Sequence, residues 1–334
     1  MLADVFKSDL FSFTSLTSAV NAIPYVPQEL QTWLPWNAEG VETTSVVIES
    51  QDGVLTLIPA VPRGAPASQD REGARKAFSL LVPHYPRERT IMASSIQGVR
   101  QFGSDSELET VEAKIAQAQA QMVRQHESTW EFGRACAITG VLKNADGSTL
   151  IDLNAAQGVV QNQYDIDFAT ATTDVKDELI VAKERSEDEQ SADTPANGYA
   201  LIAGRAMFHT ISRHASLKTA FDRWRDGQAL RADNRFGGMI IGDNITLYSA
   251  GRGKVGGVTF IADDEAYLCP IAPGMYQTRF APADTVEAAN TTGLPLYSMS
   301  DPLPYGRGVK ILTESNAISY TTTPRAIIKI KQSA

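Results

Sequence analysis

Apolar residues recur at spacings of three and four along one stretch of the chain: Leu108, Val111, Ile115, Ala118 and Met122. That period puts them on a single helical face and predicts a helix over about 105–137, roughly 50 Å long at about 1.5 Å per residue. Ser104-x-x-Glu107 forms a capping box at its start. Asp105, Glu107, Glu109 and Glu112 crowd the first turns, where the helix dipole favours carboxylates. A helix so far above the usual length of about 12 residues acts as a spine. A second, acidic helix is expected over Val175 to Gln190, with its far end, Ser186 to Asp193, read as a solvated loop. Shorter helical patterns cover Arg205–Arg213 and Leu217–Asp226.

Strand patterns are short and scattered. Asp52-Gly53 supplies turn residues between Ser45–Ile48 and Val54–Ile58, a hairpin signature. Asn144-Ala145-Asp146-Gly147 is turn chemistry ahead of a strand at Thr149–Leu153. Further strands are predicted at Tyr199–Ala203, Met239–Ile241, Ile245–Ser249 and Val258–Ala262. Lys310–Glu314 and Ala326–Ile330 are too short to stand alone and are expected to return to an earlier sheet. Helices and strands without a regular alternation make the fold class α+β. Two stretches carry no period at all. Residues 1–40 read as an arm, with Pro24, Pro27 and Pro35 breaking any run and with Trp33 and Trp36 as anchors that must bury against something else. Residues 60–79, rich in Pro, Gly, Ala and charge, read as a long irregular loop of functional use.

The 334 residues carry 30 Lys and Arg against 39 Asp and Glu, a net −9, which argues against a surface built to grip nucleic-acid phosphates. Cys136 and Cys269 fit free thiols in a reducing compartment. The first residues lack a basic region followed by an apolar core, and no apolar run reaches about 18 residues, so neither a signal peptide nor a membrane span is expected. Candidate chemistry is sparse. Gly251-Arg252-Gly253-Lys254-Val255-Gly256 matches a dinucleotide-loop pattern, but a strand-like run follows it where a helix N-terminus is required, so it reads as an inter-strand loop. His84, His126, His209 and His214 are isolated, Asp263-Asp264-Glu265 reads as a solvated turn, and Gln117, Gln119, Gln121 and Gln125 as a polar helix face. No catalytic constellation, cofactor site or metal site is expected.

Two stretches have a family character: Gln97-Gly98-Val99-Arg100-Gln101-Phe102-Gly103 through Glu109, and the run from Phe280-Ala281-Pro282-Ala283-Asp284 through Gly293-Leu294-Pro295-Leu296-Tyr297 to Glu314-Ser315-Asn316. With Ser15-Leu16-Thr17, Ile23-Pro24-Tyr25-Val26-Pro27 and Thr323-Pro324-Arg325, the chain resembles the lambda-type major capsid proteins of tailed bacteriophages over almost its whole length. The resemblance implies the Hong Kong ninety-seven type capsid fold. Its parts would be an N-terminal arm (1–40), an E-loop hairpin (41–92), a peripheral domain with the spine helix (93–173 plus 305–334) and an axial domain (174–304). It further implies hexamers and pentamers in an icosahedral shell around double-stranded DNA. The implied partners are its own copies, a scaffolding protein with its protease, a portal and a decoration protein, and the implied location is the virion after assembly in the host cytoplasm. Two alternatives stay open: a nanocompartment shell of the encapsulin kind, and a nucleotide-binding enzyme using residues 251–256.

Within the implied E-loop region, residues 63–89 hold Arg63, Arg71, Arg75, Lys76, Arg87 and Arg89 against Asp70, Glu72 and Glu88, a local balance of +3. In capsids of this fold the E-loop lies over a neighbour's spine region. Arg63, Arg71, Arg75 and Lys76 are therefore expected to meet Glu107, Glu109 and Glu112 of the next subunit. The alternative is that these carboxylates only complement the helix dipole.

Overall fold

Leu30, Trp33 and Leu34 sit in a segment too short to bury them by itself, and they are covered by the body of the chain. The computed structural model describes residues 29–51, 75–95, 111–190, 195–217, 238–250, 254–255 and 258–333. In it, a one-turn helix, α1 (Glu29–Trp33), leads into strand β1 (Trp36–Gly40). Strands β2 (Ser45–Gln51) and β3 (Arg75–Leu81) then pair antiparallel, from Ser45 opposite Leu81 to Gln51 opposite Arg75. The described partner of Ser45–Ile48 is β3, and Asp52, Gly53 and Val54–Ile58 lie outside the described residues. The stretch read as loop to residue 79 therefore gives its end to a strand, because Phe78 and Leu80 alternate and pack inward with Val46 and Ile48.

Strand β4 (Tyr85–Met92) precedes the spine, α2 (Val111–Thr139), whose 29 residues span about 43 Å. Its predicted stripe is buried at Ile115, Ala118 and Met122, which pack on Ile91, Val309 and Ile311; the capping box at 104–107 lies outside the described residues. Gly140 ends α2 with φ +78°, a left-handed conformation that glycine adopts without penalty. Its carbonyl accepts from the amides of Leu153 (2.9 Å) and Asn154 (3.2 Å), which ties the helix end to the next elements. Those are the hairpin β5 (Val141–Lys143) and β6 (Thr149–Asp152), the short α3 (Leu153–Ala156) and strand β7 (Asn162–Ile166). Helix α4 (Val175–Asp188) is capped by Asp174, whose side chain accepts from the Lys176 amide. Ser186 is not in a solvated loop. It is fully buried on α4 and donates to the Ala326 carbonyl at 2.5 Å.

Next come β8 (Tyr199–Ala203), α5 (Arg205–Ser212), β9 (Met239–Gly242), β10 (Ile245–Ser249), the two-residue strands β11 (Lys254–Val255) and β12 (Val258–Thr259), and β13 (Ala266–Pro270). The last elements are β14 (Tyr276–Phe280), β15 (Tyr297–Pro302), β16 (Gly308–Ser315), β17 (Ala317–Thr321) and β18 (Ile328–Gln332). Six strands form one sheet in the order β7-β18-β13-β8-β10-β9; β1-β14-β17 and β15-β16-β4 form two smaller ones. Strand β8 is buried on both faces, which is why it reads as a continuous apolar run. Tyr199, Leu201 and Ala203 face α4 and α5 in one core; Ala200 and Ile202 face α1 and the end of α2 in another. Both C-terminal strands return to earlier sheets, β16 onto β4 and β18 onto β7 and β13.

Glu265 departs from the solvated-turn reading. Its carboxylate accepts from Lys331 (2.7 Å), Lys329 (2.9 Å) and the Tyr267 hydroxyl (2.8 Å). Burial alone would raise its pKa, but these donors outweigh it and hold the group down at about 2.

Candidate assembly interface

Of the stretches that carried the family resemblance, the run from Phe280 to Asn316 closes on one buried polar junction, while residues 97–109 lie outside the described residues. Glu314, at the end of β16, accepts from the Asp284 amide and from Asn316 Nδ2, both at 2.8 Å, and lies 3.2 Å from His84 Nδ1. The Asn316 amide group also donates to the Pro282 carbonyl at 2.7 Å, and the Ala281 amide donates to the Asn316 carbonyl. Ser315 Oγ donates to the Pro295 carbonyl and accepts from Trp130 Nε1 of the spine. Gly293 lies so close to the Phe280 carbonyl that a Cβ there would come within 2.0 Å of the oxygen. Residues 280–284, 293–297 and 314–316 thus join β14, β15 and β16 to the spine by satisfied hydrogen bonds, and their role is architectural.

Trp33 and Trp36 both pack on their own chain. Trp33 stacks on Tyr248 at 4.6 Å; Trp36 lies on Tyr276 and donates from Nε1 to the Leu30 carbonyl at 3.2 Å. Beneath them the spine presents a buried pair, Glu131 and Arg134, 3.3 Å apart, and Glu131 accepts from the Leu30 amide at 2.7 Å. Burial pushes the Glu131 pKa up, with the Leu30 amide and Arg134 pulling against it.

Of the charged candidates, Arg63, Arg71, Glu107 and Glu109 lie outside the described residues. Arg75 and Lys76 are backbone-paired with Gln51 and Ser50 at the outer end of β3, and Glu112 is exposed in the first turn of α2. The other two arginines of the basic patch, Arg87 and Arg89, are engaged within the chain. Arg87 donates to Gln125 at 3.0 Å and Arg89 donates to Gln121. Two of the four spine glutamines therefore hold β4, which the reading of a plain polar face missed. The signal was absent because β4 itself has no pattern: only Ile91 of its eight residues is buried.

Beside this contact lies a groove of about 640 Å³, walled by β4, the middle of the spine, the β5–β6 turn and β12. His84, Arg87, Arg124, His126 and Lys143 line it, and Phe132 and Phe260 pack together at 5.2 Å along it. His126 is buried with Nε2 3.1 Å from Thr313 Oγ1; burial first, then the Arg87 charge, lowers its pKa to about 4. Cys136 and Cys269 are buried thiols whose pKa values burial raises. Among the described residues, no three His, Cys, Asp or Glu side chains are grouped to hold a metal, and no helix is long and apolar enough to cross a membrane. Of the 251–256 loop only Lys254 and Val255 are described, and they pair with β12.

Comparison with known proteins gives concordant results. A family model described as phage major capsid protein E matches residues 12–332. The chain is similar to the major capsid protein of Pseudomonas phage KPP10, at 25% identity over 96% of this chain and 97% of that one. It is also similar to the major capsid protein of Salmonella phage Felix O1, at 22% identity over 100% and 99%. Among solved structures, the mature capsid of bacteriophage PhiM1 aligns with a TM-score of 0.58 at 10% identity, covering 93% of this chain and 89% of that one. A prophage capsid protein of E. coli CFT073 aligns with a TM-score of 0.56 at 12% identity, covering 96% and 99%. The family match across nearly the whole chain, together with the shared architecture, means that the chain belongs to the phage major capsid protein E family and has the Hong Kong ninety-seven type capsid fold.

Proposed function

We propose that this major capsid protein assembles as hexamers and pentamers into an icosahedral shell around double-stranded DNA, in the host bacterial cytoplasm, and that it performs no chemistry. The observation that carries the reading is the family match over residues 12–332. It is supported by the β2–β3 ribbon, which pairs with no third described strand and leaves Val47 and Leu81 61% and 66% exposed on its outer face. Open strand edges with apolar side chains are surfaces that a neighbouring copy covers. Residues 1–40 serve as the arm, 41–92 as the E-loop, 93–173 with 305–334 as the peripheral domain and 174–304 as the axial domain. Arg63, Arg71, Arg75 and Lys76 of one E-loop face Glu107, Glu109 and Glu112 of the adjacent spine, while Trp33 and Trp36 keep the arm's root fixed. A scaffolding protein with its protease, a portal and a decoration protein complete the set of partners. The mildly acidic balance of −9 suits a container whose wall must not bind its DNA tightly. Expression of the chain with its scaffolding partner yields closed particles by electron microscopy. A chain that stays monomeric across protein concentration and salt would refute the proposal.

A further inference from the structure

We propose that helix α4 of one copy docks on the basic groove beside the spine of the next, so that its carboxylates meet Arg87, Arg124 and Lys143. This rests on the shell reading above. Among the described residues, the groove is lined by five basic or imidazole side chains and by no Asp or Glu. Arg87, Arg124 and Lys143 are exposed there, and among the described residues none of the three pairs with a carboxylate. In a chain of net charge −9 that is an uncompensated positive surface.

Helix α4 offers its complement. Asp177, Val181, Glu184 and Asp188 follow at spacings of four, three and four, which align them on one face. All four are exposed, Val181 to 38%. Three further acids of this helix and its C-cap are engaged inside the chain: Glu178 with Tyr164, Glu187 with Lys183 and Glu189 with Arg325. Three carboxylates without a partner among the described residues, set around one apolar side chain, match three cations around the Phe132 and Phe260 rings.

The two surfaces do not meet within one molecule. Helix α4 packs on one face of the six-stranded sheet, whereas the end of the spine, with Phe260, packs toward the other. A contact between unlike surfaces of identical chains is head-to-tail, and such contacts close into rings when the rotation allows. That is the geometry hexamers and pentamers require.

Charge reversal tests this. The Arg124→Glu/Lys143→Glu variant and the Asp177→Lys/Glu184→Lys/Asp188→Lys variant each assemble about tenfold more slowly than wild type at low salt, and less so at high salt. Combining the two sets in one chain restores the rate. The neutral Arg124→Gln/Lys143→Gln variant, free of new repulsion, flattens the salt dependence. Wild-type assembly by either reversed variant, or no rescue in the combined chain while circular dichroism shows each folded, overturns the proposal. Normal particles with reduced DNA content in the groove variant would assign the cations to nucleic acid and overturn it as well. Those results leave the shell reading intact; failure of wild type to assemble removes both.

Discussion

Asn316 is a single amide on which three chain segments depend. Its side chain donates to the Pro282 carbonyl and to Glu314 and receives His84 at 2.9 Å, all within the junction that fixes β14, β15 and β16. Removing it strands a buried carbonyl and takes one of the donors from a buried carboxylate, and an unsatisfied buried polar group costs about 1–3 kcal/mol. Asn316→Ala is therefore expected to destabilise the subunit by about 2–4 kcal/mol in denaturant unfolding. Loss below about 0.5 kcal/mol, the level of an ordinary surface change, would show that the junction does not carry the load described. The residue identities were visible in the sequence as a family-like run, but nothing in their order shows that residues 34 positions apart share one hydrogen bond.

At the scale of elements, the spine is the piece whose limits matter most. The Gly140 conformation stops it and presents its carbonyl to Leu153 and Asn154. A Cβ at Gly140 would lie 1.9 Å from Asn154 Nδ2, so Gly140→Ala meets a clash in addition to the left-handed penalty of about 1–2 kcal/mol. The expected loss is about 2–3 kcal/mol, read as a lowered thermal midpoint with helical content retained. A midpoint equal to wild type would mean that the end of α2 relaxes freely. The Asn144–Gly147 turn, α2, α4 and β8 were all readable beforehand, since each is a local pattern of turn residues, stripe or continuous apolar run. Strands β1 and β4 were not, because no apolar alternation survives in segments whose outer faces point to solvent, and β3 was not, because its alternation is confined to Phe78 and Leu80 at the end of a stretch rich in Pro and Gly.

For the whole molecule, the charge pattern of the E-loop and the spine sets the expectation. Exposed ion pairs are worth roughly 0–1 kcal/mol each, yet they act on association rate and register, and a shell repeats each of them in every subunit. Glu109→Lys with Glu112→Lys is expected to slow assembly, more at low salt than at high, and adding Arg71→Glu with Arg75→Glu is expected to restore it, as followed by light scattering. If the second pair of reversals rescues nothing while the spine still folds, the two patches do not face each other. This swap involves neither α4 nor Arg124 and Lys143, so it tests the proposed E-loop contact separately from the proposed groove contact.

By itself the sequence determined what local order can encode: a long amphipathic spine, an acidic second helix, an apolar central strand and the wording of a capsid family. These are properties of contiguous segments, where the 3.6-residue and two-residue periods decide which face is apolar. Only the tertiary structure decided which strands pair: that Ser45–Gln51 joins Arg75–Leu81, and that β18 sits between β7 and β13. It also decided that Glu265 lies beneath two lysines from the far end of the chain. The groove belongs to the same class, since its walls come from residues 84–87, 124–132, 143–145 and 258–260. Such assignments follow from packing between segments far apart in the chain, and the sum of many weak non-local contacts leaves no period for the sequence to display.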